Sequence, residues 1–374
     1  MDQIELLSLP LTEQESPSLS LDRTKLVRTI DSLMACEEAA RIRTDVQGMM
    51  ANILESPKNN TWACPEGPQN GRLYRVDQEV FVGNLRQIME SRTIERVKYY
   101  LQRLKISVTR VKTGKINDIN LNRWKEYKDI RTDSLWMDKK RDKSGVHMAS
   151  YWGNFIPQIP AQMMVRFTKA GEHVMDTFAG SGTTLIECRR LGRNGIGLEL
   201  NPTVARNAQF IVESQENPFS VKTEIVNANS VNADYRKILA DRGIEQVQLV
   251  MMHPPYHDII RFSDNEDDLS NAASVEDFLD RLQEIGRRVY DVLERGRFAC
   301  LVIGDKYHKG EWIPLGFWSM QRLMEVGFHL KSIVIKNFDQ TKGKRSQEEL
   351  WRYRALVGGY FVFKHEYIFL LQRD

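Results

Sequence analysis

Residues 174–192 read VMDTFAGSGTTLIECRRLG. A short apolar run closes on Asp176, Gly180 and Gly182 flank Ser181, and TTLIECRRL then takes up helical spacing. This is a strand, a glycine turn and a helix start in immediate succession. Glycines let backbone approach a ligand closely, and a helix N-terminus offers unbonded N–H groups. The third glycine of the dinucleotide fingerprint is absent, because Leu185 stands in its place. A pyrophosphate cradle is therefore not favoured.

Outward from this turn, short apolar runs alternate with amphipathic segments from about residue 155 to the end. Strands are predicted at 173–178, 194–200, 222–227, 247–252, 298–303, 329–336 and 366–371. Helices are predicted at 158–167, 182–192, 202–213, 233–242, 274–295 and 314–326. Such alternation implies an α/β fold, a doubly wound, seven-stranded sheet with helices on both faces. No helix pattern separates the last two strands, so they are expected to form an antiparallel pair. Ligands of such sheets lie beyond the carboxyl ends of the strands.

Two other strand ends carry chemistry. The second strand ends GIGLELNP, with Glu199 placed 23 residues after Asp176. A carboxylate there can accept from both hydroxyls of a ribose; the alternative is a helix N-terminal charge ahead of Pro202. The fourth strand runs into MMHPPYHD, residues 251–258. Pro254 and Pro255 stiffen the turn and remove two donors, His253 can accept through its bare nitrogen, and Tyr256 can stack on a flat ring. The set suits a planar ring bearing an exocyclic amine. A rigid turn with a packed tyrosine is the other reading.

Taken together, these segments resemble the amino-group DNA methyltransferases, which methylate adenine N6 or cytosine N4 with S-adenosyl-L-methionine. DTFAGSGTT (176–184) is similar to the family's cofactor turn, Glu199 to its ribose-binding acid, and HPPY (253–256) to its (D/N/S)-P-P-Y turn. GNFIPQIPAQMMVRFTKAG (153–171) resembles the segment leading into the glycine strand. The resemblance covers about residues 150–374. It implies a Rossmann-like methyltransferase sheet with Asn154, Phe155, Ile156, Asp176, Phe178, Gly180, Ser181, Gly182, Thr183 and Glu199 at the cofactor. Asn229 or Ser230 would take the place of an acidic residue often found near the cofactor adenine. His253, Pro254, Pro255 and Tyr256 would be catalytic. His253 departs from the usual Asp, Asn or Ser.

The first 150 residues have a different texture. Residues 1–20 are read as a flexible terminus and 21–150 as a mainly helical region. Apolar spacing over 21–54 predicts one long helix or two shorter ones, 58–75 a loop, and 78–105 a return to helix. Residues 92–144 carry sixteen Lys or Arg against seven Asp or Glu on a chain of net charge +3. That segment is either a solvated helix face or a polyanion-binding surface. No separate target-recognition insert interrupts the motifs, so this region is the candidate for DNA recognition or for dimerisation. Residues 339–358 are expected to add a basic loop.

Composition excludes several classes. No apolar run approaches the roughly 20 residues that span a bilayer. The acidic, polar N-terminus has no basic n-region, which places the expected site of action in the cytoplasm, away from membrane. Cys36, Cys64, Cys188 and Cys300 are widely spaced without a CxxC pair, which supports neither a metal site nor a disulfide framework. The lone Cys-Pro step, Cys64-Pro65, has the reversed order from a cytosine-C5 nucleophile. Asp258 and Asp305 stand at or just past strand ends, where they would line the same cleft or, the preferred reading, form surface turns, and Trp152 and Phe155 are read as core or cofactor cover.

The expected function is site-specific methylation of double-stranded DNA on the amine of a flipped base, adenine N6 ahead of cytosine N4. The setting is restriction–modification with a cognate endonuclease, or orphan modification. An RNA base methyltransferase and a DNA-binding protein without catalysis are the rival readings.

Overall fold

The computed structural model describes residues 18–54, 73–138, 140–147, 153–308, 310–337 and 348–374. The chain forms two compact units. One comprises Met1–Gly114 and Ile119–Ile130, the other Lys115–Asp118 and Arg131–Asp374.

In the first unit, β1 (Ser18–Asp22) pairs antiparallel with β2 (Leu73–Asp77), and four helices follow the strands: α1 (Arg23–Ala35), α2 (Ala39–Leu54), α3 (Gln78–Met89) and α4 (Ile94–Thr109). The aspartate ending each strand caps the next helix: Asp22 Oδ1 accepts from Lys25 N–H and Asp77 Oδ1 from Val80 N–H. The apolar stripe Leu26, Ile30 and Leu33 meets Ile42, Val46 and Met49 in one core. This spacing places every stripe residue on one helix face. The expected helix over 21–54 is thus two helices, broken at 36–38. Residues 18–20, expected to be flexible, lie in β1, with Leu19 opposite Val76. The β1–β2 pair was not predicted, because two five-residue strands flanking helical stretches leave almost no period-2 signal. Among the described residues, four of the basic segment's sixteen Lys or Arg are paired with carboxylates of this unit. Lys98 pairs with Glu37, Lys105 with Asp31, Arg123 with Glu126 and Lys128 with Glu79.

The second unit is built on a sheet of eight strands: β3 (Leu135–Trp136), β4 (His173–Asp176), β5 (Asn194–Glu199), β6 (Thr223–Asn227), β7 (Val247–Met252), β8 (Leu293–Ile303), β11 (His329–Asn337) and β12 (His365–Gln372). A hairpin of β9 (Lys306–His308) and β10 (Glu311–Ile313) stands outside it. The helices are α5 (Gln158–Phe167), α6 (Thr183–Leu191), α7 (Pro202–Ser214), α8 (Tyr235–Ala240), α9 (Val275–Val292), α10 (Leu315–Val326) and α11 (Glu348–Gly358).

Strand order is β3-β11-β12-β8-β7-β4-β5-β6, with β12 antiparallel to both its neighbours. The seven predicted strands and their antiparallel pair are all present. The eighth, β3, adds two residues parallel to β11, too short for any pattern. It also brings the boundary between units to residue 130 rather than 150. Helix α11 falls where a basic loop was expected; residues 339–347 of that segment, like Cys64-Pro65 and Trp152, lie outside the described residues.

The chain winds from β4 outward through β5 to β6, then returns to place β7 on the other side of β4. The switch point of the sheet is therefore between β4 and β7. The central strands are buried along nearly their whole length, as a doubly covered parallel sheet requires. Lys115–Asp118 belongs here as well: Asn117 Nδ2 donates to the Arg166 carbonyl (2.7 Å), Asp118 Oδ2 accepts from Ala170 N–H (2.7 Å), and the Ile116 carbonyl accepts from Arg297 Nη1 (3.2 Å). Among the described residues, no helix is long and apolar enough to cross a membrane.

Candidate active site

The register of β4 and β7 sets Asp176 beside Met251, so the glycine turn and the HPPY turn leave the sheet next to each other. Thr177 N–H donates to the Met251 carbonyl (3.0 Å), extending the ladder one step past the strand.

In the glycine turn, Asp176 is 1% exposed. Its Oδ1 accepts from Phe178 N–H (2.9 Å) and its Oδ2 from the Thr184 hydroxyl (2.5 Å), so both oxygens clamp the turn that follows. Burial nevertheless pushes this carboxyl up to about 6. Gly182 sits at φ 83° and heads α6 with no side-chain cap, which leaves the first N–H groups of the helix to whatever binds there. A Cβ on Gly182 would lie 2.6 Å from Val212 Cγ2. Thr183 is buried in the first turn of α6.

Glu199, at the end of β5, faces this turn. Its Oε2 accepts from Gly180 N–H (3.0 Å) and its Oε1 from Asn201 N–H (2.9 Å). Each oxygen keeps a further lone pair, the requirement for holding two hydroxyls. Burial lifts Glu199 to about 6. The helix behind it is capped by Asn201, not by Glu199, with Pro202 at its start. After β6, the Ser230 hydroxyl donates to the Thr177 carbonyl (2.5 Å) and Asn229 Oδ1 accepts from Val231 N–H (2.8 Å). Ser230 thus ties its loop to the glycine turn, and Asn229 shapes the turn beside it. Phe178 packs partly buried against the main core.

The segment 153–156 touches both turns. Asn154 Nδ2 donates to the Ser181 hydroxyl, and the Phe155 ring meets His253 edge-on at 4.9 Å between centroids. Phe155 is itself buried, so it is core and site wall together. Ile156 carries the segment into α5 through its carbonyl, which accepts from Ile159 N–H (3.0 Å). Arg141 fixes the backbone here by donating from Nη1 to the Phe155 carbonyl (2.7 Å).

In the HPPY turn, Pro254 is buried and Pro255 half-buried. His253 Nε2 lies 3.3 Å from the Tyr256 hydroxyl, which donates to Glu366 Oε2 (2.8 Å). Glu366 Oε1 accepts from Lys336 Nζ (2.9 Å). Lys336 and Glu366 are cross-strand partners in β11 and β12, 6% and 7% exposed. Tyr256 reaches them across the end of β8 because Gly304 has no side chain there: a Cβ would stand 3.0 Å from Tyr256 Cε2. Burial pushes His253 down to about 4, with Lys336 adding to the shift and Glu366 opposing it. Burial also pushes the Tyr256 hydroxyl up. Burial alone would raise Glu366; Lys336, together with His253 and the Tyr256 hydroxyl, outweighs it and holds the carboxyl below its usual range.

The residues read from sequence as cofactor and base site therefore lie around two adjacent turns at the switch point. Sequence reading missed Arg141, Gly304, Lys336 and Glu366. The last two left a signal: they are charges in otherwise apolar strands, IVIK and EYIFLL, and a buried charge requires a partner. Asp305, expected on the surface, is buried and accepts from Gly316 N–H, Trp312 Nε1 and the Tyr367 hydroxyl. It fastens the hairpin and α10 to β12. Exposed Asp258 pairs with Lys306.

The sequence model of the N6/N4-type family described as DNA methylase matches residues 57–210 and 247–374. The Type II methyltransferase M.MjaII of Methanocaldococcus jannaschii is 36% identical over 86 residues, 21% of this chain and 16% of that protein. The Type II methyltransferase M2.DpnII of Streptococcus pneumoniae is 33% identical over 99 residues, 25% and 34% of the two chains. A tRNA (guanine(10)-N2)-dimethyltransferase of M. jannaschii is 27% identical over 119 residues, 30% and 32%. In each case the match spans about a third or less of the relative's length.

Proposed function

The chain belongs to the DNA methylases of the N6/N4 type, and on that premise we propose that it methylates the exocyclic amine of a DNA base held at His253–Tyr256. Its cofactor is S-adenosyl-L-methionine. The cleft fits that group. Glu199 offers lone pairs at the end of β5, Gly180 and Gly182 open the backbone, and the α6 N-terminus is uncapped by any side chain. Asn154, Ser181 and Thr183 border the same turn, with Phe178 beside it. The cofactor supplies an electrophilic methyl group.

The observation that carries the reading is the adjacency of the glycine turn and the HPPY turn on neighbouring parallel strands. An aromatic amine is a poor nucleophile, since its lone pair is spread into the ring. Two acceptors, the bare nitrogen of His253 and the Pro254 carbonyl, would hold its hydrogens and favour a pyramidal nitrogen. They would also offset the positive charge that develops there. Pro254 and Pro255 bring no N–H to compete. Tyr256 would stack on the base, which must leave the duplex to reach this depth. Proximity of the two turns supplies much of the rate.

Adenine N6 is the first target to test and cytosine N4 the second. Two relatives named as Type II methyltransferases support a restriction–modification setting, with a cognate endonuclease as partner. Orphan modification is the alternative setting. The first unit is proposed to read DNA or to pair with a second copy; light scattering at micromolar concentration distinguishes dimer from monomer. The relative named as a tRNA methyltransferase supports a second reading, transfer to RNA. The deciding experiment incubates the protein and labelled cofactor with unmethylated genomic DNA and, separately, with tRNA, then digests both to nucleosides. Label in N6-methyladenine or N4-methylcytosine is the expected result. Label only in tRNA selects the second reading, and cofactor binding without transfer to either substrate selects a DNA-binding protein without catalysis.

A further inference from the structure

A histidine at the head of the HPPY turn can serve as an acceptor toward substrate only in one of its two neutral tautomers. The imidazole alone favours the Nε2–H form only modestly; a partner on the other nitrogen fixes the choice. Here the partner is the Tyr256 hydroxyl, 3.3 Å from Nε2. A hydroxyl has one hydrogen, and in this structure it faces the Glu366 carboxylate at 2.8 Å. A carboxylate only accepts, so the tyrosine hydrogen must point to Glu366. Toward His253 the same oxygen is left as an acceptor, and Nε2 must then carry the proton. Among the described residues, Nδ1 of His253 has no hydrogen-bond partner. The charge that fixes the polarity of this chain is held by Lys336, 2.9 Å from the other carboxylate oxygen and directly across the β11–β12 ladder.

We propose that the buried Lys336–Glu366 pair is a positioning device: acting through the Tyr256 hydroxyl, it fixes His253 as the Nε2–H tautomer and leaves Nδ1 as the acceptor for the substrate amine. This rests on the reading of HPPY as the amine site for its last link only. Lys336 and Glu366 touch no substrate. They set the direction of the Tyr256 hydroxyl hydrogen and, through it, of the proton on His253. Gly304 belongs to the device as the gap through which Tyr256 spans β8. The aromatic edge of Phe155 closes the other side of His253 and offers no hydrogen bond of its own.

The device makes an unusual prediction for Glu366→Gln. Lys336 only donates, so the amide oxygen would turn toward it and the amide NH2 toward Tyr256. The tyrosine hydrogen would then point to His253 Nε2, moving the imidazole proton to Nδ1 and presenting the amine with a donor. Removing the lysine as well, in the double variant Lys336→Met/Glu366→Gln, frees the amide to turn back.

The test is nitrogen-15 NMR of the full chain labelled at histidine, with His253 assigned by comparison with His253→Asn. The expected wild-type result is a protonated Nε2 and a bare Nδ1. Glu366→Gln is expected to exchange the two, and the double variant to restore them, with methyl transfer falling at least tenfold in the single variant and recovering in part in the double. Should Glu366→Gln not fold, Tyr256→Phe replaces it; loss of the hydroxyl is expected to give a mixture of tautomers. A wild-type protein protonated at Nδ1, or a tautomer indifferent to Glu366→Gln and Tyr256→Phe, overturns the proposal. Tautomers that respond as described, with no transfer to DNA or RNA by any variant, uphold the relay and overturn the amine site.

Discussion

The two turns that form the cleft are held in opposite ways. The glycine turn after β4 is tied by its own neighbourhood, since Asp176 bonds to Phe178 and Thr184, all within nine residues. The HPPY turn after β7 is tied to residues far along the chain, Glu366 and, behind it, Lys336. A local clamp shapes a backbone cradle whatever the rest of the sheet does. A distant clamp makes the orientation of one side chain depend on the register of strands two and three positions away.

That contrast can be broken most directly at Glu366. Glu366→Ala leaves Lys336 buried without its carboxylate, and urea unfolding is expected to show a loss of about 3–5 kcal/mol. The double replacement Lys336→Met/Glu366→Leu is expected to restore most of that stability while leaving Tyr256 without its acceptor. If both variants lose stability equally, the distant clamp is packing rather than charge.

Next comes a separation of functions. His253→Ala is expected to lower kcat by about 10²–10³-fold, the size found when one group stabilising a developing charge is removed, with cofactor affinity unchanged. Glu199→Ala is expected to weaken cofactor binding, read by calorimetry without DNA. A shared loss of both quantities in either variant would erase the distinction between the turns.

Acid should then act on the two turns with opposite sign. His253 is pushed down to about 4 in the folded protein, against an ordinary value of 6.5. The unfolded chain therefore takes up a proton first, and stability falls as pH drops from 6.5 toward 4. The expected loss between pH 6.5 and 5 is about 1.5 kcal/mol, since the full slope of roughly 1.4 kcal/mol per pH unit applies only once the unfolded histidine is mostly protonated. Glu199 is raised to about 6 from 4.5, so its contribution is full below 4.5 and is lost as pH rises through 6. Urea unfolding of His253→Asn between pH 7 and 5 should show a shallower acid loss than wild type. In activity, the acid limb is expected near pH 6, as a rising KM for cofactor when Glu199 protonates, with kcat steady from 8 to 5.5. An unperturbed histidine would instead set that limb near 6.5 in kcat.

The smallest effects separate the two glycines. Gly182→Ala forces a left-handed residue and a contact with Val212, costing about 1–2 kcal/mol from the backbone alone and weakening cofactor binding. Gly304→Ala meets only a tyrosine ring edge at 3.0 Å, and is expected to reduce kcat several-fold while cofactor affinity holds.

The same contrast marks what was legible in the sequence. Strand ends, the glycine turn and the helix starting at Pro202 are local, written in residues within one turn of each other. The helix over Val275–Val292 was legible for the same reason, with Ser274 capping it through Asp277 N–H. What escaped were partners brought together by register: Lys336 with Glu366, β3 with β11, β1 with β2. Lys336 and Glu366 stand at the predicted ends of their strands, where a charge normally reads as solvent-facing. Only the pairing of β12 between β11 and β8 buries them. Gly304 carried no local demand at all; its reason is a side chain 48 residues earlier.

The four residues Lys115–Asp118 bear on how this gene can be recombined. Neither compact unit is one uninterrupted stretch, since the tetrapeptide belongs to the second while Ile119–Ile130 returns to the first. A chimera joined at residue 130 would import a foreign tetrapeptide into a slot shaped by Arg166, Ala170 and Arg297. Exchange of the first unit between relatives is therefore expected to succeed when the recipient keeps its own Lys115–Asp118, a double junction in place of a single cut.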